Sequence, residues 1–229
     1  MTEMSRIDRK RAAALGMLVA TGAFLVVVAW LHVVRPDVDP FRRGVSRYAA
    51  GSYGYAVSVA FAMLAAALLI AAAHLDSGGE ADASSSHRRA LWLGAAGLLV
   101  VVWFPLRSAL PASGEYWAHQ LGGATFFAAS TVGVQAVSST LRRKASPEWL
   151  EMVARWSEGI AIVALLLFFA SVLLNVPVLK AVLGILQRSC FIALCTSLIA
   201  LGLGLLTERR PTNVGLQPAA LDTIVNRRG

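Results

Sequence analysis

The chain has 229 residues, of which 57% are hydrophobic and only 15% are charged, and its formal net charge is +8. Soluble domains carry about 25% charged residues, so this composition excludes an ordinary soluble protein and indicates a membrane protein. The positive charge does not indicate nucleic-acid binding, because the basic residues lie mostly at the ends of hydrophobic segments and no aromatic-basic binding module is present.

Six hydrophobic segments are long enough to be considered as membrane spans, since a spanning helix needs about 20 mostly apolar residues. They cover residues 12–34, 54–75, 90–106, 118–138, 159–176 and 181–206. The third segment is short and the fourth is polar. Alanine-rich faces, above all in the second segment, allow helices to approach closely. The predicted fold class is therefore all-α: a polytopic membrane protein that forms a compact bundle of six transmembrane helices.

The distribution of lysine and arginine predicts the orientation of these spans, because the cytoplasmic side carries an excess of both. With a cytoplasmic N-terminus, two-thirds of the 21 basic residues fall on the cytoplasmic side. We therefore expect both termini in the cytoplasm and a location in the cell (plasma or inner) membrane. The richness in alanine and arginine is typical of a bacterial protein.

The spans divide the chain into a cytoplasmic N-terminal segment over 1–11, a transmembrane domain over 12–206 and a disordered cytoplasmic tail over 207–229. Three connections within the domain are distinctive: an outer loop over 35–53, a cytoplasmic linker over 76–89 and a cytoplasmic amphipathic segment over 141–158.

The outer loop carries four arginines on the side where the charge rule expects few. Two aspartates can neutralise two of them, and two prolines stiffen the backbone. These features predict a folded, positively charged lid. The ligand-binding candidates in this loop are Arg35, Asp37, Asp39, Arg42, Arg47 and Tyr48.

Polar residues within the spans are costly, since a charge near the bilayer centre costs at least about 2.5–3.5 kcal/mol on insertion scales. Arg188 lies about eight residues into the sixth segment, on a helical stripe of mostly small residues, and so should point into the bundle. Gln187 and His119 open to the same outer level. We interpret the three as further ligand-binding candidates, while pairing of Arg188 with a neighbouring carbonyl or carboxylate is an open structural alternative.

Several short motifs together resemble the domain-of-unknown-function 998 family of bacteria and archaea. They are Arg35-Pro36-Asp37-x-Asp39-Pro40 with Ser46 and Gly51-Ser52-Tyr53-Gly54, then Phe104-Pro105, His119, and Gly184-x-x-Gln187-Arg188. The family often has an aspartate shortly after Phe-Pro, where this chain has Leu106-Arg107. The resemblance covers roughly residues 15 to 206 and implies six helices and a membrane location. It implies no activity.

The best functional interpretation is a non-enzymatic protein that binds or transports an anionic lipid headgroup or a small anion in a cationic outer-leaflet pocket. Arginine suits such ligands because its planar fork donates bidentately. One alternative is an outer-leaflet enzyme with His119 as base or nucleophile, and another is a structural or regulatory subunit with a membrane-protein partner or a homo-oligomer. Haem- or quinone-linked electron transfer through His32 and His119 ranks last. We expect membrane lipids as neighbours, no cofactor and no metal, because no zinc-ligand set, phosphate-binding Gly-rich loop or Gly-x-Ser-x-Gly elbow occurs.

Overall fold

The fold is entirely helical in the part of the chain that the structure, a computed structural model, describes: residues 3–75, 81–106, 113–174 and 176–207. This result confirms the predicted all-α class. The α-helices within these ranges are α1 (Glu3–Val34), α2 (Gly54–His74), α3 (Ala81–Trp103), α4 (Gly114–Val134), α5 (Val137–Arg143), α6 (Glu148–Leu173), α7 (Pro177–Ala181) and α8 (Leu183–Thr207), and a 3₁₀ helix, Val45–Ala49, lies between α1 and α2.

Within the described ranges, four helices are long and apolar enough to cross a membrane, namely Asp8–Val34 of α1, then α2, α6 and α8. In hydrocarbon every backbone polar group must be satisfied within the chain, and an α-helix does this along its whole length. The protein is therefore a helical membrane protein, as the composition predicted.

Helices α3 and α4 occupy the other two predicted span positions, but neither is among the four that meet the length and composition of a span. The first turns of α3 contain serine, histidine and arginine, so its apolar part is short. Helix α4 carries His119, Gln120, Ser130 and Thr131. The crossing of the membrane by these two helices stays a prediction.

Several predicted boundaries differ from the observed helices. The fourth segment ends at Val134, and a separate α5 follows it. The sixth segment corresponds to α8, and the short helix α7 lies almost entirely between the predicted fifth and sixth segments, ending just before Val182. The amphipathic segment continues from Glu148 into the fifth span as one helix, α6, and the N-terminal segment is helical from Glu3.

Parts of two predicted connections lie outside the described residues. These parts are residues 76–80 of the predicted linker and residues 208–229 of the predicted tail. The remainder of that linker, from Ala81, forms the first turns of α3.

The long helices close into a ring around an aromatic centre. Helix α1 packs against α2 and α8, α2 against α3, α3 against α4, and α6 against both α8 and α4. Phe191 of α8 lies at the centre, with its ring centroid 5.2 Å from Phe24, 5.9 Å from Phe61, 5.4 Å from Phe126 and 5.0 Å from Phe127. These four partners belong to α1, α2 and α4, so one aromatic cluster holds four helices together.

The connection between α1 and α2, residues 35–53, defines one end of the bundle. Because α1 ends there and α8 begins against it, the first residue of α1 and the last residue of α8 lie at the opposite end. We call residues 35–53 the cap.

Candidate functional site

The cap is a folded element with its own apolar contacts. Val38, Val45, Tyr48 and Ala49 are buried, and the last three belong to the short 3₁₀ helix. A loop of this length remains ordered when buried side chains offset the entropy of fixing its backbone. The cap therefore presents its polar residues in defined positions, as the sequence predicted for a lid.

Arg35 and Asp37 join the two ends of the cap. The Nε and Nη2 atoms of Arg35 donate to the two carboxylate oxygens of Asp37, at 2.8 and 2.7 Å, and its Nη1 donates to the Ala50 carbonyl at 2.6 Å. Gly51, at a φ of +104°, lies against this guanidinium, where a Cβ would come within 3.0 Å of Nη1. The hydrogen bond from Arg35 holds the pKa of Asp37 below its ordinary range. Both residues thus have a structural function within the cap.

Arg188 joins the cap to two helices. Its Nε donates to Nε2 of His32 at 2.8 Å. Its Nη1 lies 2.8 Å from the Pro40 carbonyl, 2.7 Å from the Arg43 carbonyl and 3.0 Å from the Gly184 carbonyl. The prediction that Arg188 points into the bundle is confirmed, and its partners are an imidazole and backbone carbonyls.

The tautomer of His32 follows from its two contacts. Nδ1 lies 2.6 Å from the Val28 carbonyl, which can only accept, so Nδ1 carries the proton. Nε2 is then free to accept from Arg188. A neutral imidazole at the end of α1 is therefore part of the joint between α1, α8 and the cap.

The first turns of α8 make two further contacts with the cap. Oε1 of Gln187 accepts from the backbone N–H of Val45 at 2.7 Å. The backbone N–H of Gly184 donates to the Phe41 carbonyl at 2.8 Å. Gly184 is required here because a Cβ would collide with the carbonyl oxygens of Pro40 and Arg43. The Gly184-x-x-Gln187-Arg188 motif is thus the docking surface for the cap.

Two buried polar groups in this joint have no hydrogen-bond partner among the described residues: the hydroxyl of Tyr48 and Nη2 of Arg188. Tyr48 is 0% exposed, and its ring centroid lies 5.3 Å from that of His32, the same imidazole that accepts from Arg188. A buried donor without a partner costs about 1–3 kcal/mol. The joint therefore contains two buried donors that have no acceptor in the described part of the chain.

The remaining cap arginines lie on its outward surface. Arg42 is exposed and only loosely paired with Asp39, at 3.8 Å. Arg43 is exposed and Arg47 is half-buried, and neither forms an ion pair or a side-chain hydrogen bond with the described part of the chain. The outward surface is therefore positively charged. Beside it lies a cleft of about 250 Å³, lined by Ala49, Gly51, Ser52, Gly54 and Tyr55.

His119 belongs to a different contact. It is 5% exposed, and its Nδ1 lies 2.8 Å from the Phe104 carbonyl, just after α3. The structure therefore brings together Arg35, Asp37, Tyr48, Gln187 and Arg188 in the cap joint, whereas His119 connects α3 and α4. A vestibule shared by His119 and Arg188 stays a prediction.

Two polar contacts in the structure are not predicted by the sequence. The sequence suggests His32 only as a cofactor ligand, and its pairing with Arg188 joins residues 156 positions apart, which no local pattern reveals. Glu158 lies at the end of the predicted amphipathic segment, yet it is buried in α6 with both carboxylate oxygens bonded to Ser138. The sequence signal that could have identified Glu158 is the position of an acidic residue next to a predicted span, because ionisable residues within membrane segments are rare and usually have a specific partner.

Within the described ranges, no group of three or more His, Cys, Asp or Glu side chains is placed to hold a metal ion. No curated protein and no solved structure matches the chain. A family model described as "Protein of unknown function (DUF998)" matches residues 18–204, from α1 nearly to the end of α8 and including the whole cap. The chain therefore belongs to the DUF998 family, and the resemblance carried by the cap and α8 motifs is confirmed.

Proposed function

We propose that this protein binds an anionic lipid headgroup or a small anion under its cap, at the outer leaflet of the cell membrane. The observation that carries this proposal is the pair of buried, unpartnered donors, the Tyr48 hydroxyl and Arg188 Nη2. Phosphate and carboxylate oxygens only accept hydrogen bonds, so they suit two free donors better than a neutral donor ligand does. Binding would satisfy both groups and remove their desolvation cost.

The charge of the cap supports the approach of an anion. The cap contains four arginines and two aspartates. Because Asp37 pairs with Arg35, the other three arginines outnumber the one remaining aspartate. A surface with one sign of charge raises the local concentration and the association rate of an opposite charge. Arg42, Arg43 and Arg47 would attract the ligand, and the buried donors would hold it.

An exposed aromatic side chain beside these arginines favours a lipid as the source of the anion. Phe41 is 59% exposed, and it precedes Arg42 and Arg43 in the chain. Aromatic side chains concentrate at the level of lipid headgroups, where an apolar ring and a polar neighbour are both accommodated. Phe41 would enter the acyl boundary while the arginines contact phosphate.

The proposed membrane arrangement has six spans, with α3 and α4 completing the four apolar helices, and both termini in the cytoplasm. The ring of helices supports this count, because α3 packs between α2 and α4, and α4 reaches α6. The excess of lysine and arginine at the end away from the cap supports the orientation.

The experiment that tests the binding proposal uses Tyr48→Phe. This change removes one hydroxyl that has no hydrogen-bond partner in the described part of the chain, and it keeps the ring beside His32. Purified protein in detergent is titrated with phosphatidylglycerol, inorganic phosphate and phosphatidylcholine. A hydrogen bond to a charged group is worth about 1.5–3 kcal/mol, so we expect binding of the anionic probe to weaken about tenfold or more.

The matched control is Tyr116→Phe, which removes a hydroxyl on α4 that accepts from Gln120, outside the cap. It should leave anion binding unchanged. Loss for phosphatidylglycerol alone identifies a lipid, and loss for inorganic phosphate as well identifies a small-anion site. Equal binding by wild type and Tyr48→Phe for every probe contradicts the proposal.

A further inference from the structure

A buried carboxylate lies in the bundle at a distance from the cap. Glu158 of α6 is 6% exposed and lies about 15 Å along the helix from its first residue, at 1.5 Å per residue. Its neighbour Ser157 contacts Ser197 of α8, with 2.7 Å between the two hydroxyl oxygens. An ionisable side chain so placed in a membrane protein is a candidate for function, because burying its charge is costly.

The contacts of Glu158 come from one uncharged residue. Oε1 accepts from the backbone N–H of Ser138 at 2.8 Å, and Oε2 lies 2.9 Å from the Ser138 hydroxyl. A hydroxyl can either donate or accept. When the carboxyl group is ionised the hydroxyl donates to Oε2, and when Oε2 carries a proton that proton can be donated to the hydroxyl. The same contact therefore exists in both protonation states.

The titratable and charged side chains that face the carboxylate come from two helices: Arg155 on α6 itself and His87 on α3. Its hydrogen bonds come from Ser138. The site lies where α4 ends and α5 begins, and Nε2 of Gln135 lies 3.5 Å from the Glu158 carbonyl. Non-helical backbone at membrane depth is tolerated only where it is buried in protein or lines a water-filled cavity.

We propose that Glu158 is a proton-binding site, with Ser138 as the residue that holds its carboxyl group in both states. Proton uptake forms one O–H bond on Oε2 and removes one negative charge from the first turn of α5. A neutral carboxyl oxygen accepts a weaker hydrogen bond than a carboxylate does, so uptake weakens the bond from the Ser138 N–H to Oε1 and changes the contact between α5 and α6. This site is separate from the cap and does not depend on ligand binding there.

The test is infrared difference spectroscopy of the purified full-length protein over a pH series, following the C=O stretch of a protonated carboxyl group. Glu158→Gln keeps the shape and can still accept from the Ser138 N–H. Glu115→Gln, at an exposed position in the first turn of α4, is the matched control. The acidic side chains other than Glu158 give carboxyl bands in all three proteins. We expect one further titrating band in wild type and in Glu115→Gln that is absent from Glu158→Gln.

One result would overturn the proposal. Identical titrating carboxyl bands in folded wild type and in Glu158→Gln would show that Glu158 binds no proton in the folded protein. Circular dichroism of Glu158→Gln establishes that the variant is folded, and Ser138→Ala, which keeps the backbone N–H, should change the midpoint of the titration.

Discussion

Replacing Gly184 with alanine should detach the cap from α8. The new Cβ would collide with the carbonyl oxygens of Pro40 and Arg43 and lie 2.9 Å from the Arg43 nitrogen. All three atoms belong to the backbone, so no side-chain rotation relieves the overlap and the cap itself must move.

The expected cost follows from the hydrogen bonds that this movement breaks. Two are neutral bonds, from the Gly184 N–H to the Phe41 carbonyl and from the Val45 N–H to Oε1 of Gln187. Two are the bonds from Arg188 to the Pro40 and Arg43 carbonyls. A neutral bond contributes about 1 kcal/mol and one from a charged group about 1.5–3 kcal/mol. Complete loss therefore costs roughly 5–8 kcal/mol of cap docking free energy, as an upper limit.

Hydrogen–deuterium exchange measured by mass spectrometry reports this change directly. We expect cap peptides of Gly184→Ala to lose protection against exchange, while peptides of α2 and of the half of α8 farther from the cap retain it. Gly159→Ala is the matched control, because the same methyl group on α6 meets no atom within 4 Å. Cap protection in Gly184→Ala equal to that of wild type would refute the docking of the cap through Gly184.

Two further predictions concern helix packing and acid. Gly122→Ala places a Cβ 2.8 Å from the Gly97 carbonyl oxygen, so it should lower stability against thermal unfolding by about 1–3 kcal/mol. Gly114→Ala, whose Cβ meets no atom within 4 Å, should leave stability unchanged. Equal melting temperatures of the two variants would contradict the close contact of α3 and α4. The ion pair of Arg35 and Asp37 should stop stabilising the cap in acid below pH 3.8. The pKa of Asp37 is depressed below its ordinary 3.8 in the folded state, so the stability from this pair is lost as the pH falls through the folded-state pKa. Hydrogen exchange of the cap should show this acid-dependent loss in wild type and not in Asp37→Asn; the same acid dependence in both would refute it.

The fold class could be predicted from the sequence because the length and composition of an apolar segment are enough to indicate a membrane-spanning helix. The long apolar segments of α1, α2 and α8 meet this criterion. The break between α4 and α5 at residues 135 and 136 could not be predicted, since neither residue is the glycine or proline that usually interrupts a helix. There the backbone N–H of Ser138, in the first turn of α5, donates to Oε1 of Glu158 on another helix, a contact that no local pattern reveals.

The candidate site was predictable in its residues and less so in their roles. The helical stripe correctly placed Arg188 inside the bundle. Its partners, the carbonyls of Pro40 and Arg43, could be identified only from the fold of the cap. Every residue has a backbone carbonyl, so the sequence does not show which carbonyls accept a hydrogen bond. For the same reason the sequence could not separate Nη1, which is occupied, from Nη2, which is free.

An anion bound under the cap would contact the Tyr48 hydroxyl and Arg188 Nη2. An experimental density map of the protein in nanodiscs that contain phosphatidylglycerol would show it. We expect headgroup density within hydrogen-bond distance of both donors. Density there no larger than a water molecule, with the cap still docked on α8, would contradict anion binding at this position.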